Sequence, residues 1–259
     1  MKHWKTSLGS NLSRSRAGVA LGSILAISLL LWAILRPAPL PDFKAIEDVP
    51  SMKQAFNAYL RPIVMQQNQQ IENQRQNLDA LAVAFDQTGA LGAFQRWRLR
   101  SLASNYEVEW NDDIGEVIKQ LKLRVDAVPV ELALAQAAKE SGWGRSRFAI
   151  EGNNLFGLWC YKPGCGLVPQ RRPEGETHEV AAFSSVSAAV EYYLHNINTH
   201  DGYADLRRRR LQLRESGKRL NPLILAEGLL LYSQRREAYV QEIKAMVRQF
   251  QGMPLPSSA

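Results

Sequence analysis

Residues 135–157 read AQAAKESGWGRSRFAIEGNNLFG, and this stretch decides what kind of fold the chain adopts. Its first part completes a helical run, PVELALAQAAKES from Pro129 to Ser141, that is apolar on nearly every side, the pattern of a helix enclosed by a core. Asp126-Ala-Val-Pro129 predicts the start, with a side chain that accepts from free amides and a proline tolerated in the first turn. Gly142 and Gly144 predict the end. Glu140 is therefore placed at the carboxyl end of a central helix, where the macrodipole disfavours negative charge by about 0.3–1 kcal/mol. Ala133, Gln136 and Ala137 share its face and leave room for a ligand. With Trp143 and Phe148 beside it, the carboxyl is expected to hold its proton near neutral pH, as a general acid must. The plainer alternative is a surface glutamate paired with Arg145 or Arg147.

On either side the texture differs. From Met52 to Phe85 the apolar residues fall at helical spacing, and Pro62 predicts the opening of a second helix. QQNQQIENQRQ between Gln66 and Gln76 makes that helix half exposed. Shorter helices are expected at about 91–103 and 112–123. After Gly157 the runs LFGLW, GLVPQ and HEVAAF, separated by turn residues, read as short strands. Helices return at about 185–199, after Asn221-Pro222, and from Ser233, where Tyr239, Ile243, Met246, Val247 and Phe250 form one stripe. The expected fold class is α+β, mainly helical with a small β-hairpin insertion.

The N-terminus is different again. Lys2, Lys5, Arg14 and Arg16 precede AGVALGSILAISLLLWAIL, 19 uncharged residues from Ala17 to Leu35. At about 1.5 Å per residue, such a helix spans the hydrocarbon of a bilayer. A signal peptide normally has a shorter apolar region ending in small residues. This run ends in Leu-Trp-Ala-Ile-Leu, which favours an uncleaved single transmembrane helix with its basic flank in the cytoplasm and the rest exported. RPAPLPDF, 36–43, reads as an extended stalk.

The formal charge of +7 is largely topological. Of 32 basic residues, 27 remain when Lys2, Lys5, Arg14, Arg16 and Arg36 are set aside, against 25 acidic. Arg207–Arg210 is then the one basic run, expected to be a solvated helix face or a surface for an anionic polymer. It lacks interleaved aromatics, so nucleic acid is not an expected partner. Cys160 and Cys165 flank a Pro-Gly turn in a domain predicted to be exported, where a disulfide is the expected state. His178, His195 and His200 lack metal-ligand spacing, so neither metal nor cofactor is expected. His195 and His200 lie on or just past a helix that could border a cleft.

The stretch quoted at the outset closely resembles the glucosaminidase domain of glycoside hydrolase family 73: an Ala/Gln-rich helix, Glu-Ser-Gly-Trp-Gly-x-Ser, then Asn-Leu-Phe-Gly. AFSSVSAAVEYYLHNI resembles the family's strand-into-helix segment, and LYSQRREAYVQEI its late Tyr-containing motif. Over roughly residues 50–250 the chain is similar to the membrane-anchored Bax-type members of that family. The resemblance implies a lysozyme-like domain hydrolysing the β-1,4 bond that follows N-acetylglucosamine in peptidoglycan, with Glu140 as catalytic acid. The N-terminal reading and the resemblance together divide the chain into a cytoplasmic tail (1–16), transmembrane anchor (17–35), Pro-rich linker (36–50), N-terminal helical segment (51–108), catalytic domain (109–252) and flexible tail (253–259). The implied location is the bacterial inner membrane, with the catalytic domain in the periplasm. No protein partner is indicated.

The family places a second glutamate in the hairpin. Here Glu174, Glu176 and Glu179 are available without the usual Thr-x-Glu-Tyr context, and Glu179 in HEV is the first choice. Attack by the substrate's own 2-acetamido oxygen needs no second carboxylate. Tyr232 and Tyr239 are implied groove residues near the cleaved sugar. Trp143, Asn153, Asn154 and Phe156 are candidates for sugar stacking and hydrogen bonding, or for packing and turn formation. Two other functions suit the same residues: a lytic transglycosylase, which needs one acid, and a non-catalytic wall-binding scaffold.

Overall fold

Helix α4 (Val130–Ser141) is enclosed by the core, with every residue from Leu132 to Ala138 buried. The computed structural model describes residues 38–230 and 236–254. The predicted anchor at 17–35, Tyr232 and residues 255–259 lie outside the described residues. Around α4 are α1 (Val49–Thr88), α2 (Ala93–Asn105), α3 (Ile114–Arg124), α5 (Arg147–Gly152), α6 (Val186–Thr199), α7 (Ala204–Glu215), α8 (Pro222–Ala226) and α9 (Arg236–Gln251). Among these described residues no helix is long and apolar enough to cross a membrane.

Three short antiparallel strands, β1 (Trp159–Cys160), β2 (Gly166–Leu167) and β3 (Glu179–Ala181), form a sheet in the order β1-β3-β2. Cys160 faces Glu179 across the ladder, and Gly166 faces Ala181. A side chain at Gly166 would meet the Val180 carbonyl oxygen at 2.0 Å, so this closest approach of β2 to β3 admits only glycine. The expected α+β class, mainly helical with a small β insertion, is the one observed.

The predicted break at Pro62 does not occur, and α1 runs unbroken through it for 40 residues. Proline removes one backbone hydrogen bond, to the carbonyl four residues back. Pro62 and Ala58 are both exposed, so water can take up that carbonyl. The N-cap is Asp48, whose carboxylate accepts from Ser51 N at 2.8 Å.

Two apolar clusters hold the helices. One joins Phe56, Leu60 and Val64 of α1 to α4, α6, α8 and α9; the other joins Leu78, Leu81 and Leu99 to Val117 and Leu121. The predicted boundary at 108/109 therefore cuts through the second cluster. The predicted linker is also more than a spacer, because Phe43 is buried against Phe56 and Tyr59.

Arg207–Arg210 is the expected solvated face only in part: Arg208 is exposed and Arg209 half-buried. Arg207 and Arg210 are buried, and Arg210 donates to the carbonyls of Asp126, Ala127, Leu123 and Arg124 and to Asn198 Oδ1. Burial pulls the Arg210 guanidinium down to about 10 while Asp126 opposes the shift. Asp126, 1% exposed, does not cap α4 as expected: it pairs with Arg214 at 2.6 Å and approaches Arg210 and Arg75 at 3.8 and 3.7 Å. A buried charge persists only where such partners compensate it.

Candidate active site

The sequence ESGWG makes a tight exit from α4. Ser141 Oγ donates to Ala137 O and accepts from Gly144 N at 2.7 Å, while Gly142, Trp143 and Gly144 all take positive φ. At Gly144 even a methyl group would lie 2.6 Å from the Phe43 ring. This turn leaves Glu140 half-buried on the last turn of α4, with Gly157 at its edge: a side chain there would come within 3.6 Å of Glu140 Oε2.

A directed chain of hydrogen bonds ends on this carboxyl. Tyr193 OH donates to Gln136 Oε1 at 2.6 Å, Gln136 Nε2 donates to Tyr239 OH at 3.2 Å, and Tyr239 OH donates to Glu140 Oε1 at 2.9 Å. Because Tyr239 donates to Glu140, its oxygen is left to accept from Gln136 Nε2, and the Gln136 oxygen then faces Tyr193. Burial raises the Glu140 carboxyl above its ordinary range, against the lowering effects of Tyr239 and Lys139. The Glu140 charge in turn helps burial to push the Tyr203 phenol up. Neither nearby arginine answers Glu140: Arg145 donates to Gly142 O, and Arg147 to Val168 O. A proton donor at the end of a buried helix, steadied by a tyrosine, is suited to protonating a leaving oxygen.

Residues 115–252 match the family model for mannosyl-glycoprotein endo-beta-N-acetylglucosaminidase, the glucosaminidase domain. The chain belongs to the glucosaminidase family. It is therefore a glycoside hydrolase, with peptidoglycan as its substrate class. It is also 31% identical over 212 residues to Protein bax of Escherichia coli (strain K12), a match that covers 82% of this chain and 74% of that relative. No solved structure matches the chain.

In this glucosaminidase several predicted site residues have other duties. Glu179 is buried, and both its oxygens are taken: Oε1 accepts from Gly164 N at 3.0 Å and Oε2 from Gly166 N at 2.8 Å. These amides hold its carboxyl below the usual range. Its carboxylate clamps the turn that the Cys160–Cys165 disulfide also closes. The three groups lie together, but the two sulfurs are bonded to each other and offer no thiolate to a metal. Glu174 and Glu176 are exposed, with Glu176 3.5 Å from His178 Nδ1.

Phe156 is fully buried and stacked on Tyr193 at 3.9 Å, which leaves no face for a sugar. Asn154 donates to Leu158 O and Ala181 O and accepts from Phe156 N and Leu158 N, which occupies its whole amide. Asn153 caps α5 in a left-handed conformation and donates to Phe183 O. Trp143 is half-buried and packs between Phe56 and Phe250, with Lys53 over its ring. Trp159 and Tyr161 are the exposed aromatics of the hairpin, 53% and 70% accessible, and Trp159 stacks on His178. The adjacent letters WCY were the available signal for this pair.

His195 Nε2 donates to Asn105 O at 2.8 Å, and the ring lines a cavity of about 590 Å³ between α1 and α6 that includes neither Glu140 nor Tyr239. His200 caps a short turn, accepting from Gly202 N. Tyr193 and Tyr203 are the site residues that sequence reasoning passed over; Gln136, one turn before Glu140, was placed on its face by spacing.

Proposed function

We propose that the chain is a membrane-anchored endo-β-N-acetylglucosaminidase that cuts peptidoglycan glycan strands with Glu140 as general acid. The observation carrying this is the Tyr239–Glu140 hydrogen bond at the end of a buried helix, where burial favours the protonated acid. Glu140 gives its proton to the glycosidic oxygen as the bond to the sugar's C1 breaks. The commitment of Glu179 to Gly164 and Gly166 supports attack on C1 by the substrate's 2-acetamido oxygen. Water then opens the resulting ring and returns a proton to Glu140. Tyr239 positions the acid; Tyr232 is proposed to reach the same sugar, on resemblance alone.

The uncharged run at 17–35 and its basic flank support a single inner-membrane anchor with a cytoplasmic N-terminus and a periplasmic catalytic domain. The disulfide suits that compartment.

Digestion of purified sacculi by the wild type and by Glu140→Gln, with product ends identified by mass spectrometry, tests the reading. Reducing N-acetylglucosamine ends, absent with Glu140→Gln, are expected. Anhydro-muramic ends would make the enzyme a lytic transglycosylase. No products at any pH would make it a wall-binding scaffold.

A further inference from the structure

Helix α2 carries a pair of aromatic rings that neither the core nor the glycosidase reading uses. Phe94 and Trp97 are 68% and 64% exposed and stack on each other with centroids 5.7 Å apart and planes 23° apart. Three residues apart on a helix, they share one side, while Leu99 and Ala103 supply the buried face. Large rings left in water as a pair mark a contact surface.

Charge narrows the partner. The helix, AFQRWRLRSLASN, has three arginines and no acidic residue. Arg98 lies over the Phe94 ring and so adjoins the aromatic pair, while Arg96 and Arg100 lie over Trp110 and add positive charge to the same helix. Beside Trp97 a hollow of about 200 Å³ is lined by Gln74, Asn77, Arg98 and Ser101, all able to donate hydrogen bonds to an anion. A second copy docked through this face would set two helices with arginines and no acidic residue against one another. Exposed tryptophan and phenylalanine on a helix whose charges are all arginine form the composition that settles at a bilayer surface, rings among the headgroups and cations on the phosphates.

We propose that this face of α2 docks on an anionic lipid surface and holds the catalytic domain against the bilayer. It rests on the proposed anchor only for bringing that bilayer within reach.

The test uses the full chain with Phe94→benzoylphenylalanine, irradiated with vesicles of phosphatidylcholine alone or with about a third phosphatidylglycerol. Flotation with the neutral vesicles reads the anchor. A lipid adduct on the peptide containing residue 94 reads the docking face. The adduct is expected with anionic vesicles, several-fold weaker with neutral ones, and lost when Trp97→Ser or the combined Arg96→Gln, Arg98→Gln and Arg100→Gln is added, with circular dichroism unchanged. Equal labelling from both vesicle types overturns the proposal, as does no adduct from anionic vesicles. Crosslinking to added sacculi or to a second copy in place of lipid overturns it too. If the chain fails to float with neutral vesicles, the anchor is wrong, and the adduct with anionic vesicles still decides the docking face.

Discussion

The Tyr239 hydroxyl donates to Glu140 Oε1 at 2.9 Å and thereby favours the ionised carboxylate, while burial favours the acid. Burial prevails, and the carboxyl sits above its ordinary range. Removing the hydroxyl in Tyr239→Phe takes away the stabilisation of the anion, so the Glu140 pKa rises further. The alkaline limb of the pH–activity profile should therefore move to higher pH, even as the maximal rate falls because the acid is less well aimed. A limb that stays in place, or moves down, would remove Tyr239 from the positioning of the acid.

Glu140→Gln should lower the rate by about 10²–10⁴-fold, the usual share of a positioned general acid. The same change should stabilise the fold at neutral pH. With a raised folded pKa, the native wild type binds more protons than the unfolded chain between the ordinary glutamate value and the folded one. Its stability is full below that window and falls as pH rises through it. Glutamine has no such dependence, and it can still accept from Tyr239. Denaturant midpoints should therefore diverge in favour of the variant from about pH 4 upward, and coincide below. Divergence in the opposite direction would mean that the carboxylate, not the acid, is what the fold prefers.

How much of this site the sequence disclosed depends on how far apart the partners lie in the chain. The exit from α4 was legible because Ser141, Gly142 and Gly144 are consecutive with it and each has a local backbone reason to be there. Glu140 was legible for the same cause. Tyr193 was not, since it meets Gln136 across 57 residues, nor was the burial of Arg210, which reaches Asp126 across 84. Four arginines in a row look solvated, and two at least partly are, until a row of backbone carbonyls is folded against Arg207 and Arg210. Asn154 and Phe156 sit in a motif shared with the family, and spacing could not say whether the motif touches sugar or shapes the loop behind it. Their hydrogen bonds and stacking place them in the loop's own framework.

Asp126 is the acid on which that arginine cluster depends. Its carboxylate is 1% exposed and meets Arg214 directly, with Arg210 and Arg75 close by. Asp126→Asn leaves Arg210 buried with its carbonyl partners but without a counter-charge, and breaking a buried pair from one side costs about 3–5 kcal/mol. Urea unfolding of Asp126→Asn should show a loss of that order, while Arg210→Met combined with Asp126→Leu should recover much of it. A loss under 1 kcal/mol in the single variant would mean that solvent or Glu72 already serves Arg214 and the buried cluster is not under electrostatic load.

Glu179 separates two accounts of the second catalytic group. A base or nucleophile would cost about 10²–10⁴-fold when replaced by glutamine. The structure instead has its carboxylate accepting from Gly164 N and Gly166 N, and glutamine offers one acceptor oxygen where two are used. Glu179→Gln should therefore keep activity within a few-fold of wild type while the Gly164 and Gly166 amides exchange faster with solvent and the Cys160–Cys165 bond is reduced more quickly. Because these amides hold the Glu179 carboxyl low, the clamp is in force above the ordinary glutamate range and is lost as pH falls through the lowered folded value. The difference in amide exchange between wild type and variant should accordingly shrink in strong acid. Loss of activity as deep as that of Glu140→Gln, with amide exchange unchanged, would make Glu179 a participant in the chemistry and set aside attack by the acetamido oxygen.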